Sequence, residues 1–276
     1  MPVRRRARPL LLAAVALTVP GLGSRPASAQ EACCYDFSNV SAMVENAVAS
    51  VPLDGASLIL VVDGQVVYVR AFGDYTLARA VPLGSATTWY AATTIAALVD
   101  DGKLNWDDPV SRYLPQWTGR KGTITVRQLL AHTSGLPGDH PCLAVPSITL
   151  ADCVDQISRV DLLADPGREF HFGAASFQVA GRVAEVAGGL SWAALFEEKV
   201  RHPLQLTDTA YGATQNPRIA TGLRSTLLDY ASLLRMHAGQ GLFGPSRVLQ
   251  PVTVREMQRD ATRGAPLVDS PSPAGR

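Results

Sequence analysis

The residues of this 276-residue chain that could do chemistry gather around one serine. Ser85 follows Gly84 and opens the stretch SATTWYAATTIAALVDDG, residues 85–102. A serine in the first turn of a helix lies among free backbone N–H groups, at the positive end of the helix dipole. Developing negative charge is favoured there. Such a serine is a candidate nucleophile toward a carbonyl, provided that a neighbouring group takes its proton. Thr88 stands three residues on, one turn along the same face. Its hydroxyl can hydrogen-bond but is no base at neutral pH. The plainer reading of Ser85 is a helix N-cap. Two histidines complete the set. His171, beside Phe172, ionises near neutrality and is a candidate substitute base. His132 ends a short helix, where an imidazole is favourable at the negative end of the dipole.

Residues 85–102 read as one helix: Trp89, Ala92, Ile95, Ala96 and Val99 recur at helical spacing, and Gly102 marks the stop. Trp89 is assigned to the core rather than to substrate contact. Upstream, Phe37, Val40, Val44, Ala47 and Val51 predict a helix ended by Pro52. Two β-rich runs, residues 57–62 and 65–72, flank Asp63-Gly64, a two-residue hairpin signal. Downstream, Thr125 and Gln128 form a capping-box pair. Further helices are expected over residues 149–157, 176–186 and 226–236, with another capped by Ser191. Residues 265–276 are rich in Pro, Ser and Gly and read as a disordered tail.

Composition narrows the field. The chain is 47% hydrophobic and 18% charged, with a net charge of +1. It can bury a substantial core and carries no electrostatic footprint for nucleic acid. Arg4, Arg5, Arg6 and Arg8 precede a short apolar run, and Ala27-Ser28-Ala29 is a small-residue cleavage signal. Residues 1–29 therefore read as a signal peptide, which makes the mature chain secreted or periplasmic. The run is too short to span a bilayer, and no other segment is long and apolar enough.

Export makes disulfides expected. Cys142 and Cys153 flank a loop-like stretch, and bridging them contributes ~3 kcal/mol in the chain-entropy picture. Adjacent Cys33 and Cys34 are left unassigned. No cysteine has zinc-site spacing with histidine, and no metal or organic cofactor is implied. The chain has no G-x-S-x-G elbow, no P-loop, no G-x-G-x-x-G after a strand and no H-E-x-x-H.

Four pieces of text resemble one family: residues 85–104; Asp107-Asp108-Pro109-Val110; residues 123–137, with His132-Thr133-Ser134-Gly135-Leu136; and residues 172–189. In their order and spacing the chain resembles the serine β-lactamases and penicillin-binding-protein-like hydrolases, near the class C enzymes and their esterase relatives. The resemblance covers residues 55–260. It implies an α+β fold in which an antiparallel sheet is flanked by helices and carries a helical insert, here over residues 30–264. It also implies an acyl-serine reaction on an ester, amide or lactam carbonyl, in a small molecule or a peptide.

The resemblance sets three requirements. The first is Ser-x-x-Lys, whose amine accepts the serine proton; here Ser85 is matched and Thr88 stands at the lysine position. The second is Tyr-x-Asn; the matching positions are Phe172, Gly173 and Ala174, so the ring stays and the phenol oxygen is gone. The third is a Lys/His-x-Gly strand supplying an oxyanion-hole N–H. After Met257-Gln258-Arg259-Asp260 no such triplet follows, and the last sheet strands of the fold are expected to be missing. The expectation is a β-lactamase-related serine hydrolase with weak or lost activity, or else a non-catalytic, ligand-binding descendant or truncated gene product.

Overall fold

The computed structural model describes residues 35–271. The expected signal peptide, its cleavage site, Cys33 and Cys34 lie outside the described residues. From Phe37 onward the chain forms one compact unit. In chain order come helix α1 (Ser38–Ser50), strands β1 (Gly55–Val62), β2 (Gln65–Gly73) and β3 (Val81–Pro82), and helices α2 (Thr87–Asp100), α3 (Gly119–Gly122), α4 (Val126–Leu130) and α5 (Leu150–Ser158). Then follow β4 (Phe170–His171), α6 (Ala175–Gly188), α7 (Trp192–Phe196), β5 (Ala210–Tyr211), β6 (Leu223–Ser225), α8 (Leu227–Ala238), β7 (Leu242–Phe243), β8 (Ser246–Arg247), α9 (Pro251–Met257) and β9 (Leu267–Asp269).

The arrangement is α+β, with antiparallel pairs flanked by helices. The strands pair as β1 with β2, β6 between β3 and β5, and β7 with β8, all antiparallel. Only β4 with β9 is parallel among the described residues. The β1–β2 hairpin turns at Asp63 (φ 49°) and Gly64 (φ 76°). Two successive positive φ values are what a type I′ turn requires, and Asp-Gly tolerates them. Local caps fall where the sequence puts them. Thr125 and Gln128 exchange both capping-box bonds at α4, Thr149 and Asp152 do the same at α5, and Ser191 and Thr226 cap α7 and α8.

The central helix differs from expectation in one respect. It is buried on nearly all sides rather than along one stripe. Ala91, Ile95 and Leu98 join a large apolar cluster with Trp117, Leu129, Val183 and Trp192. Tyr90, Ala96 and Ala97 join a second cluster with Phe196, Leu233 and Met236. A helix between two cores must be apolar all round. Two of its buried threonines satisfy themselves locally: Thr93 and Thr94 donate to the carbonyl oxygens of Trp89 (2.8 Å) and Tyr90 (3.0 Å). Trp89 lies on the face neither cluster covers. It is 38% exposed and packs against the His237 ring at 4.9 Å, so it is not core.

The Cys142–Cys153 bridge is formed. Its loop is further tied down by Asn216, whose amide donates to the Cys142 (2.9 Å) and Val145 (3.0 Å) carbonyl oxygens. Within the stretch read as a disordered tail, residues 267–269 instead form β9. Their order comes from backbone pairing to β4, a contact that composition does not encode.

Candidate active site

Ser85 sits in a single 3₁₀ turn, Gly84–Ala86, immediately before α2. Gly84 has φ 54°, which lets the chain turn sharply into the helix. The approach is pinned by β3–β6 pairing and by Leu83, whose N–H donates to the Leu223 carbonyl oxygen at 2.9 Å. Ser85 is exposed, and its side chain caps nothing. The N-cap reading is therefore not what the helix uses. Thr88 Oγ1 donates to the Ser85 carbonyl oxygen at 2.8 Å.

Ser85, Thr88 and Phe172 line one cavity of about 360 Å³. The structure thus brings together the three positions that the sequence motifs single out. The cavity floor is a close backbone crossing. The Gly138 carbonyl oxygen accepts from the N–H groups of Ala174 (2.7 Å) and Ala175 (3.3 Å). A Cβ on Gly173 would lie 1.9 Å from the same oxygen. Both glycines line the cavity, and neither could carry a side chain without moving the other strand of backbone. The preceding loop is anchored by Ser134, whose Oγ lies 2.7 Å from Ser176 Oγ and accepts from the Leu136 N–H at 3.1 Å.

The opposite wall is the 216–221 loop. Buried Gln178 holds it through Asn216 (2.7 Å), the Pro217 carbonyl oxygen (3.0 Å) and the Ile219 N–H (3.2 Å). That loop presents Arg218, Ala220 and Thr221 to the cavity, while Asp139 and Asp269 add two carboxylates. The Thr221 hydroxyl is shut off from solvent and has no hydrogen-bond partner among the described residues. Sequence reasoning missed Arg218, Thr221, Asp139 and Asp269. Asp139, the 216–221 loop and strand β9 lie far apart in the chain and share no spacing with Ser85, so no periodic signal marks them.

His171 is not part of this cavity. Its ring is 7% exposed and its Nε2 lies 2.9 Å from Glu169 Oε2. Its neighbour Phe172, just past the end of β4, is the residue that lines the cavity with Ser85. His132 also departs from expectation. It follows the last turn of α4 with φ 59°, and its ring packs against Phe170, Phe172 and Phe177 at centroid distances of 5.4, 4.8 and 5.3 Å. Burial pushes its pKa down to about 4, so it is neutral and offers the helix no charge. Its Nδ1 accepts from the Gly173 N–H at 3.3 Å, which ties the aromatic wall to the cavity floor. Among the described residues no cluster of three or more His, Cys, Asp or Glu side chains could hold a metal ion.

Comparison with known proteins decides the family. The Beta-lactamase family profile matches residues 40–269. The chain belongs to the beta-lactamase family. It is 36% identical to the crystal structure of a "putative beta-lactamase" from Bacteroides dorei DSM 17855, with a TM-score of 0.79, covering 86% of this chain and 73% of that one. It is 26% identical over 192 residues to Protein flp of Staphylococcus aureus (strain N315), covering 64% of this chain and 39% of that protein. The chain therefore spans about two fifths of the length of such curated relatives. The D-amino acid amidase from Ochrobactrum anthropi SV3 shares the fold, at 22% identity and a TM-score of 0.67 over 79% of this chain and 73% of that one.

Proposed function

We propose that this is an exported beta-lactamase-related serine hydrolase in which Ser85 faces the carbonyl of an ester, amide or lactam, with acyl transfer weak or lost. One observation carries the reading: Ser85 and Thr88 line the same cavity, yet the Thr88 hydroxyl donates to the Ser85 carbonyl oxygen. Acylation forms a bond from Ser85 Oγ to the carbonyl carbon and expels the leaving group. The serine proton must pass to a base and then to that leaving group. Neither Thr88 nor Phe172 can accept it, and His171 is held by Glu169 outside the cavity. The Ser85 position at the start of α2 still favours developing negative charge, so binding of a carbonyl compound outlasts the loss of turnover.

Ligand binding without chemistry is the second reading, and the walls favour it. Arg218 and Asp269 bring opposite charges to the cavity, and among the described residues neither side chain has a hydrogen-bond or ion-pair partner. Treating the wild type and Ser85→Ala with a chromogenic lactam, a chromogenic ester and a serine-reactive phosphonate tests both readings. Equal, near-background behaviour is expected; turnover or labelling that vanishes in Ser85→Ala overturns the loss of activity.

Export rests on the charged, apolar and small-residue pattern of residues 1–29. Among the described residues no helix is long and apolar enough to cross a membrane. N-terminal sequencing of material from the medium or periplasm is expected to begin at Gln30, and an intact Met1 would refute export by cleavage.

A further inference from the structure

The strand β9 is the least explained element of the fold, and its position beside Ser85 gives it a meaning. Residues 267–269 are exposed along their whole length and bury no apolar side chain. What holds them is backbone. The Phe170 N–H donates to the Pro266 carbonyl oxygen and the Phe172 N–H to the Asp269 carbonyl oxygen, both at 2.9 Å, in a parallel register with β4. Phe172 and Asp269 both line the Ser85 cavity. A short extended segment held by main-chain bonds along the two-residue strand β4, with one side chain in a neighbouring cavity, is arranged as a peptide is when it docks by strand addition.

We propose that residues 266–269 are a self-ligand: they occupy the β4 edge on which an extended peptide lies when it enters the Ser85 cavity. The acidic side chain of Asp269 takes the place of a carboxylate on that peptide, within the cavity that also holds Arg218. The natural occupant is thus an extended peptide that brings an acidic side chain into the cavity. It competes with a tethered copy whose effective concentration is in the millimolar range, as for short flexible links. A two-residue ladder without side-chain burial is weak enough to be displaced. The proposal rests on the Ser85 cavity being a binding site, and does not need Ser85 to be a nucleophile.

The test uses the full chain and a fluorescein-labelled peptide of sequence Ala-Pro-Leu-Val-Asp-Ser, copied from residues 265–270. In the double variant Leu267→Gly with Val268→Gly, the strand loses its β-favouring side chains but the core loses nothing. Fluorescence anisotropy is expected to show the labelled peptide binding this variant at least tenfold more tightly than wild type. Hydrogen exchange in wild type is expected to show the Phe170 and Phe172 amides protected, and protection lost in the variant until peptide is added. Equal affinity for the two proteins, no binding to the variant, or unprotected amides in wild type overturns the proposal. Phosphonate labelling of the same samples separates the two readings, because anisotropy scores peptide binding whether or not Ser85 reacts. Labelling without peptide binding sinks this proposal alone; peptide binding without labelling leaves it standing.

Discussion

The Thr88 hydroxyl donates to the carbonyl oxygen of Ser85 at 2.8 Å and makes no hydrogen bond to the Ser85 hydroxyl. A side chain at this position of the helix reaches back one turn, so it touches the Ser85 backbone more readily than its Oγ. Thr88→Lys combined with Phe172→Tyr is therefore expected to raise phosphonate labelling above wild type but to leave turnover low. General-base assistance is worth ~10²–10⁴ in rate, and any oxyanion-hole donor that the cavity does not supply is worth a further ~10²–10³. Full turnover of a chromogenic lactam by the double variant would show that the cavity lacks nothing else.

The Gly138–Gly173 crossing predicts a severe and local defect. With 1.9 Å available for a Cβ at position 173, Gly173→Ala forces backbone apart, and a loss of about 2 kcal/mol or more is expected. Urea unfolding measures it. An unchanged midpoint would mean that the two backbones separate at little cost.

The disulfide predicts a global effect. The Cys142→Ser with Cys153→Ser variant is expected to lose ~2–4 kcal/mol, because the loop is freed in the unfolded chain and two buried positions become polar. Peptide mapping without reduction should recover the two cysteines in one linked fragment. Finding both thiols free would refute the bridge.

Stability should also fall with acid in a particular window. Burial holds both His132 and His237 at a pKa of about 4, against an ordinary value near 6.5. The unfolded chain then binds more protons between those values, so stability rises with pH through that range. It is full above about pH 6.5 and is lost progressively down to about pH 4, each histidine giving up at most about 1.4 kcal/mol for every pH unit crossed. Urea midpoints at about pH 7, 5.5 and 4.5 test this. His132→Gln and His237→Gln should each flatten the slope; a slope unchanged in both variants would assign it to other groups.

The local grammar of this chain was legible. Asp63-Gly64, the Thr125–Gln128 box and the caps at Ser191 and Thr226 act within a few residues, and each is found where the sequence places it. Ser85, Thr88 and Phe172 were legible as a set only through the family resemblance, since residues 88 and 172 have no local reason to meet. Long-range contacts were not legible. Nothing in residues 265–271 signals that they pair with residue 170. Nothing around Trp89 tells that two cores pack against the other sides of its helix and leave that one open. His132 differs from expectation for a related reason: its helix-end position suggests a charge, whereas three phenylalanines from one distant stretch, residues 170–177, set its environment.

Helix α2 divides its labour along its length. Its interior, held between two apolar clusters, answers to packing, while its mouth, where Ser85 and Thr88 sit, answers only to the cavity. A random change at Ile95 or Leu98 endangers the whole molecule; one at residue 85 or 88 removes no core contact. The architecture is thus robust to substitution at the mouth of its central helix. Inheritance can vary the chemistry of such a cavity without endangering the shape that carries it.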